Sequence, residues 1–313
     1  MLGLINADRA KNGVPPVALG DNPAAQQHAE EMPEKGYLSH WELSGLKPYM
    51  RYTLAGGQNN NAENVSSMPY KLDRSCNYRK ITSIKDELRK QQQGFMESPG
   101  HRATILDKWH KKVNLGIACD QYTCSVVQQF EGDYVEFHQL PQISGGILRM
   151  SGYLKDGFVV NDEALIAVWY DEPPHALTIG QLQRTHSYTV GQRPVAFVRK
   201  PLSGGYYYTT DSTREQWTVY PDPYKISPST EPIVDSCSGL PRVTQVLPPE
   251  TREAVVPHVT ANVLSVQGNS FVVHVDLSDV LNIHGKGVYT VLVWGKKNGE
   301  AALMIEYSIF VLN

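Results

Sequence analysis

Helical periodicity runs through roughly the first 137 residues and then stops, and this change constrains the fold more than any other feature of the chain. In the first part Leu2, Ile5 and Arg9 fall at helical spacing, and Gly13 closes that helix before Val14-Pro15-Pro16. Asp21 or Asn22 is placed to cap a second helix with Pro23 in its first turn, and Pro33 is expected to bend or end it near Met32. A short helix is predicted from Leu46 to a terminating Gly56. Ser83 is expected to cap a further helix whose buried face is Ile84, Leu88 and Phe95. Pro99-Gly100 then breaks the pattern, so that His101 starts a new helix on its first turn. The run Leu115 to Phe130 reads as two strands around a short turn, which sets Cys119 opposite Cys124.

Beyond Phe137 the chain is a series of short β-prone runs separated by Gly, Pro and Asp: Val159-Val160, Leu165 to Tyr170, Val195 to Val198 and Tyr206 to Tyr208. Residues 221–250 are proline-rich and read as a linker or long loop. The strongest strand signals come last, at Phe271 to Val275, Val288 to Trp294 and Ala302 to Val311, with Asn298-Gly299 as a hairpin turn between the last two. The expectation is an α+β chain with three parts: a mixed domain over 1–138, a β-rich domain over 139–230, and a region over 231–313. That last region is either a second sandwich of immunoglobulin-like character or the remainder of the first. Tyr289, shortly after Asp279, is placed like the corner tyrosine of such sandwiches.

With 313 residues, 41% hydrophobic and 19% charged, the chain can bury two or three cores. A net charge of −3, without a Lys/Arg run longer than two, gives no nucleic-acid or anionic-lipid surface. No stretch reaches the ~18 apolar residues of a membrane span. The start, Met1-Leu2-Gly3-Leu4-Ile5-Asn6, runs straight into a helical pattern and reads as lacking a signal peptide. Of the four cysteines, Cys119 and Cys124 are expected to form a disulfide, the alternative being two half-buried thiols. Cys76 and Cys237 are left over, and a bridge between them would staple the domains. Disulfides point to an extracytoplasmic compartment, secreted or at the cell surface.

Three motifs carry a family resemblance: Gly36-Tyr37-Leu38-Ser39-His40 after an alanine-rich helix, Ala62-Glu63-Asn64-Val65, and Ser98-Pro99-Gly100-His101-Arg102. Together they resemble the CAP superfamily of cysteine-rich secretory, antigen 5 and pathogenesis-related proteins, in its short prokaryotic form. The resemblance implies a three-layer α/β/α sandwich over residues 1–138, with His40, Glu63 and His101 in three of the four positions of an open cleft. It implies that His40 and His101 can hold zinc weakly, with Glu63 fixing an imidazole tautomer behind them.

The fourth position departs from the family pattern. Phe95 replaces a tryptophan, and the nearby acid, Glu97, is displaced by one residue, which turns a helical side chain by ~100°. Asn64-Val65-Ser66 fits a glycosylation sequon, but the segment packs inward in the family. Bland roles stay open: hydrogen-bonded helix-end histidines for His40 and His101, and amide capping for Glu63. Trp169, Tyr206 to Tyr208 and Trp294 read as packing rather than a carbohydrate platform. No serine-hydrolase elbow, His-Glu-x-x-His helix or phosphate loop is present. The expected function is binding of a surface, lipid or protein partner. The alternative is a metal-assisted, peptidase-like hydrolase with Glu63 as general base, and an inert scaffold carrying an adhesive β-region is a third possibility.

Overall fold

A computed structural model describes residues 1–69, 80–161, 166–185, 187–227 and 248–312. Cys76 and Cys237 lie outside the described residues, as does most of the proline-rich stretch. The N-terminal domain contains α1 (Leu2–Lys11), β1 (Ala18–Leu19), α2 (Ala24–Lys35), α3 (Pro48–Leu54), β2 (Asn61–Pro69), α4 (Ile84–Glu97), α5 (Pro99–Leu106), β3 (Lys112–Cys119) and β4 (Thr123–Glu131). Its sheet has the order β1-β3-β4-β2 and is covered on both sides, which makes three layers. On one face Ala25, Ala29 and Met32 of α2 meet Val65 and Val127; on the other Ile5, Phe95 and Ile105 meet Val113, Val126 and Phe130. Neighbouring Val126 and Val127 point to opposite faces, and both are buried because helices cover each side. The α2 backbone lies so close to β3 that a Cβ at Gly116 would collide with the Ala25 carbonyl oxygen. Only glycine fits there.

Pro33 does not end α2. The helix continues to Lys35 and closes at Gly36 (φ 74°), whose N–H donates to the Met32 carbonyl. Proline removes one donor here, and the left-handed cap sets the true end. Ser83 caps α4 as expected, its hydroxyl accepting from the Asp86 N–H at 3.2 Å. On the buried face of α4 Phe95 turns inward and Leu88 packs against the same core, as expected, but Ile84 is exposed and Glu87, Gln91 and Gln92 are buried as well. The glutamines are accommodated because Gln91 donates to the Cys124 carbonyl (3.0 Å) and Gln128 donates to Gln92 (2.8 Å).

Cys119 and Cys124 face each other across β3 and β4 and form a disulfide. The loop it closes is short, so the Cys119→Ser/Cys124→Ser variant should lose about 2 kcal/mol. Urea unfolding without reductant, compared with the parent protein, measures this, and equal midpoints would contradict it.

The rest of the chain contributes β5 (Val135–Ser144), β6 (Ile147–Leu154), β7 (Val159–Val160), β8 (Ile166–Asp171), α6 (Ile179–Leu182), β9 (Arg193–Arg199), β10 (Ser212–Val219), β11 (Glu250–Thr260), β12 (Val263–Gln267), β13 (Ser270–Asp276), β14 (Gly287–Lys297) and β15 (Glu300–Val311). One sheet runs β10-β11-β9-β8-β14-β15, with β7 also paired to β14; the other runs β12-β13-β6-β5. Leu148, Met150, Val168, Val273, Val291 and Met304 belong to the single buried cluster that joins them. Both sheets take strands from either side of residue 230, through the pairs β13–β6, β14–β8 and β11–β9. The N-terminal sheet ends at Glu131 and β5 starts at Val135.

The turn Asn298-Gly299 has two positive φ angles, 53° and 83°, as a two-residue hairpin requires. Tyr289 donates from its hydroxyl to the Gly285 carbonyl at 2.7 Å. The β9–β11 pair is parallel, a departure from the antiparallel sheets of an immunoglobulin sandwich. Tyr206 to Tyr208 form a loop instead of a strand, following the Gly204-Gly205 turn and with no partner strand among the described residues; Tyr206 and Tyr207 are exposed and Tyr208 is half-buried.

The domains share an extensive polar contact. Lys47 Nζ pairs with Asp171 at 2.7 Å, Tyr49 OH donates to the same carboxylate at 2.6 Å, and Asn61 donates to Glu306 through its backbone N–H and side-chain amide. The segment between β8 and β9 folds back over the N-terminal domain, burying Leu177 and Leu182 against Trp41.

Candidate functional site: a histidine cleft closed by the second domain

His40 lies just after α2, Glu63 on β2 and His101 in the first turn of α5. Sequence distances of tens of residues thus converge on one cleft of about 530 Å³, lined by all three together with Ser39, Asn64 and Thr104. Glu97 does not join them. It ends α4 on the exposed side, where it accepts from Gln93 at 2.8 Å, the outcome of its one-residue displacement.

Glu63 is fully engaged. Oε1 accepts from His40 Nδ1 at 2.9 Å and Oε2 accepts from the Arg51 guanidinium, whose other nitrogen donates to the His40 carbonyl at 2.8 Å. Burial by itself would raise the Glu63 pKa, but Arg51 and the His40 hydrogen bond prevail and lower it to about 2. An ionised carboxylate only accepts, so the His40 proton sits on Nδ1. The Nε2 atom is left as the imidazole's outward nitrogen. Amide capping is therefore not how Glu63 is used.

His101 presents its ring edge-on to Phe95 at 5.1 Å, and its pKa is lowered by partial burial and then by His40. Asn64 is fully buried and donates to the His101 carbonyl (3.2 Å) and to Gln128 (3.3 Å), so the sequon is not presented to solvent. Behind the cleft His28 donates from Nε2 to the Ser39 carbonyl at 2.8 Å, and burial followed by the Arg51 charge lowers its pKa to about 3. It is neutral at physiological pH. Burial also raises the Glu42 carboxyl, although Arg51 opposes this.

No sequence motif marks the rest of the site. The β8–β9 segment brings Ser187 and Tyr188 to the cleft, and Tyr220 follows from beyond β10. The Tyr188 ring stands edge-on to His40 at 5.2 Å, its phenol pKa raised by burial and by Glu63. Ser39 donates to the Thr185 carbonyl at 2.8 Å, and Trp41 Nε1 to the Ser187 carbonyl at 3.3 Å, which fixes the segment in place. Arg51 leaves only a weak trace in the sequence, a cation within the apolar run Tyr49-Met50-Arg51-Tyr52.

Among the described residues no three His, Cys, Asp or Glu side chains form a metal-binding group. The donors the cleft offers are two imidazoles, His40 and His101, one fewer than the three protein ligands of ordinary catalytic zinc sites. Also among the described residues, no helix is long and apolar enough to cross a membrane.

An α/β/α sandwich that sets two histidines around a buried glutamate defines a class of cleft-bearing domain. Residues 2–130 match the family model of the cysteine-rich secretory protein family, CAP, and this part of the chain is a CAP domain. Two solved structures are similar to it. One is an extracellular protein containing a SCP domain from Bacillus anthracis str. Ames, 20% identical over 42% of this chain and 39% of that one, with a TM-score of 0.33. The other is an outer surface protein from Borrelia burgdorferi, 16% identical over 42% of this chain and 88% of that one, with a TM-score of 0.34. The matched part thus spans 39% of the Bacillus chain. No curated protein matches the sequence.

Proposed function

We propose that this chain is an extracytoplasmic binding protein whose CAP cleft holds its ligand through His40 and His101 without turning it over. The observation that supports this reading is the engagement of Glu63: one oxygen on Arg51, the other on His40, and a pKa of about 2. A general base needs a pKa near the working pH and an oxygen open to the proton it takes. Glu63 has neither, so the metal-assisted hydrolase loses its base, and Glu63 becomes the anchor that orients His40. The Cys119–Cys124 disulfide supports an oxidising compartment, secreted or at the cell surface.

Zinc is the ion the two imidazoles would take, each offering one bond of ~2.0–2.1 Å. A metal held by so few protein ligands leaves positions open for a group on a lipid, surface or protein partner. Calorimetric titration of zinc into the parent and into the His40→Ala/His101→Ala variant tests this. One equivalent bound by the parent and none by the variant is expected. No binding by the parent, or equal binding by both, would remove the metal from this function.

A further inference from the structure

Charges, prolines, irregular register and covering segments are the devices that keep the edge of a sheet from pairing with another chain. Among the described residues the sandwich ends in the edge strands β10, β15, β12 and β5, and three of them carry such a device. β5 has Pro141 and two register shifts, and β10 has Arg214 and Glu215. β15 is covered by the N-terminal domain, where Asn60 donates its N–H to the Met304 carbonyl at 3.0 Å. β12 has none: Val263-Leu264-Ser265-Val266-Gln267 pairs regularly with β13 and contains neither charge nor proline.

The register fixes which way its backbone points. Leu154 donates its N–H to the Asn269 carbonyl and Leu277 donates to Gly146, so Phe271, Val273 and Val275 between them turn their amides toward β6. Ser270, Val272 and His274 turn theirs toward β12, where they face Gln267, Ser265 and Val263. Leu264 and Val266 therefore direct N–H and C=O outward, with no backbone partner among the described residues. Their side chains are half-buried against the sandwich core, while Val263 and Val272 on the other face are 39% and 38% exposed.

We propose that β12 is the contact through which two copies of this chain associate, pairing antiparallel about a two-fold axis at Ser265. That axis sets Leu264 of each copy against Val266 of the other, and each pair exchanges two hydrogen bonds. Leu264 and Val266 then cover one another on the core side. On the outer face Ser265 meets its own copy, hydroxyl to hydroxyl, and Val263 meets Gln267. Pairing a strand with itself brings any charge close to a like charge, and β12 has no charge to repel its copy. The same patch serves both copies, so association closes at the dimer. A five-residue edge falls below the ~1,200 Å² of stable interfaces, which makes the dimer weak and reversible.

The test uses the whole protein in EDTA, so that zinc cannot bridge two clefts. Sedimentation velocity is expected to show monomer at ~1 μM and dimer at ~500 μM, as a weak interface requires. Val266→Pro removes an outward N–H and none of the bonds to β13, and should weaken association roughly tenfold or more. Val266→Thr keeps the N–H and the shape and should stay within about threefold of the parent. Ser265→Cys gives an independent reading, because Ser265 is exposed and the variant keeps the fold even if Val266→Pro does not. The Cα atoms of a non-hydrogen-bonded antiparallel pair stand ~4.5 Å apart, within disulfide reach. Mild oxidation should therefore give a covalent dimer of Ser265→Cys on a non-reducing gel, and none of Gln267→Cys or the parent. The proposal is overturned if the parent stays monomeric up to ~1 mM, if Val266→Pro associates like the parent, if Val266→Thr loses as much as Val266→Pro, or if Ser265→Cys crosslinks no faster than Gln267→Cys. His40 and His101 take no part in this contact, so its failure leaves the zinc reading standing.

Discussion

Glu306→Gln should leave stability unchanged below about pH 4 and raise it by about 5 kcal/mol above pH 8. Glu306 lies on β15 at the contact between the domains, 2% exposed, and receives the Asn61 N–H and amide at 3.3 and 3.2 Å. Burial pushes its pKa up to about 8, and the Asn61 hydrogen bond only partly opposes this. The ordinary value is 4.5, so the folded state holds the proton more tightly than the unfolded chain. The stability associated with that proton is complete below pH ~4.5, is lost as pH rises from there through about 8, and is gone above it. Glutamine keeps the shape and the neutral charge at every pH. The difference between the two unfolding free energies, measured in urea from pH 5 to 9, cancels every other titration. It should widen with pH, on the order of 10 °C in Tm at the alkaline end. Parallel curves would show that Glu306 ionises as an ordinary carboxyl.

Glu306 also shows where sequence reading reaches its limit. In the sequence it is one acid in a β-prone run, and nothing nearby marks it as buried. Its environment is made by Asn61, 245 positions away. The same holds for the pairing of β13 with β6 and of β14 with β8, because the register between strands so far apart depends on how whole faces fit. Local signals fared better. The Asn298-Gly299 hairpin, the Ser83 cap and the cross-strand Cys119–Cys124 pair each depend on neighbours within a few residues.

At the cleft, His40, Glu63 and His101 stand out in the sequence because they sit in recognisable motifs. Arg51 and Tyr188 do not, because their roles exist only once α3 and the β8–β9 segment have packed against β2. Gln91 and Gln92 misled the reading of α4 in the opposite sense: polar by type, they are buried because their amides find partners inside. The polar alternation of β10 likewise concealed an edge strand carrying Trp217.

Arg51→Met should cost about 3–5 kcal/mol, the range for removing one partner of a buried ion pair. The guanidinium is 4% exposed, joins Glu63 and the His40 carbonyl, and lies 3.7 Å from Glu42. Methionine fills much of the volume but leaves the buried Glu63 carboxylate and the half-buried Glu42 without this counter-charge. The Arg51→Met/Glu63→Gln double variant removes the charge on both sides and should recover much of the loss, which distinguishes an uncompensated charge from poor packing. Acid unfolding supplies an independent reading. The Glu63 pKa is depressed from 4.5 to about 2, so the parent has the corresponding stability above pH ~4.5 and loses it as pH falls through about 2, roughly 3 kcal/mol in all. Without Arg51 the burial effect on Glu63 is opposed mainly by His40, its pKa rises, and the acid loss from this group shrinks or reverses. Urea unfolding at pH 3 and pH 7 measures both effects. A single variant as stable as the parent at pH 7, or one with an unchanged acid limb, would mean that Arg51 does not hold the cleft. If Arg51 does hold it, zinc affinity should fall in the single variant as well, because the same guanidinium positions the His40 backbone and the carboxylate that orients its ring.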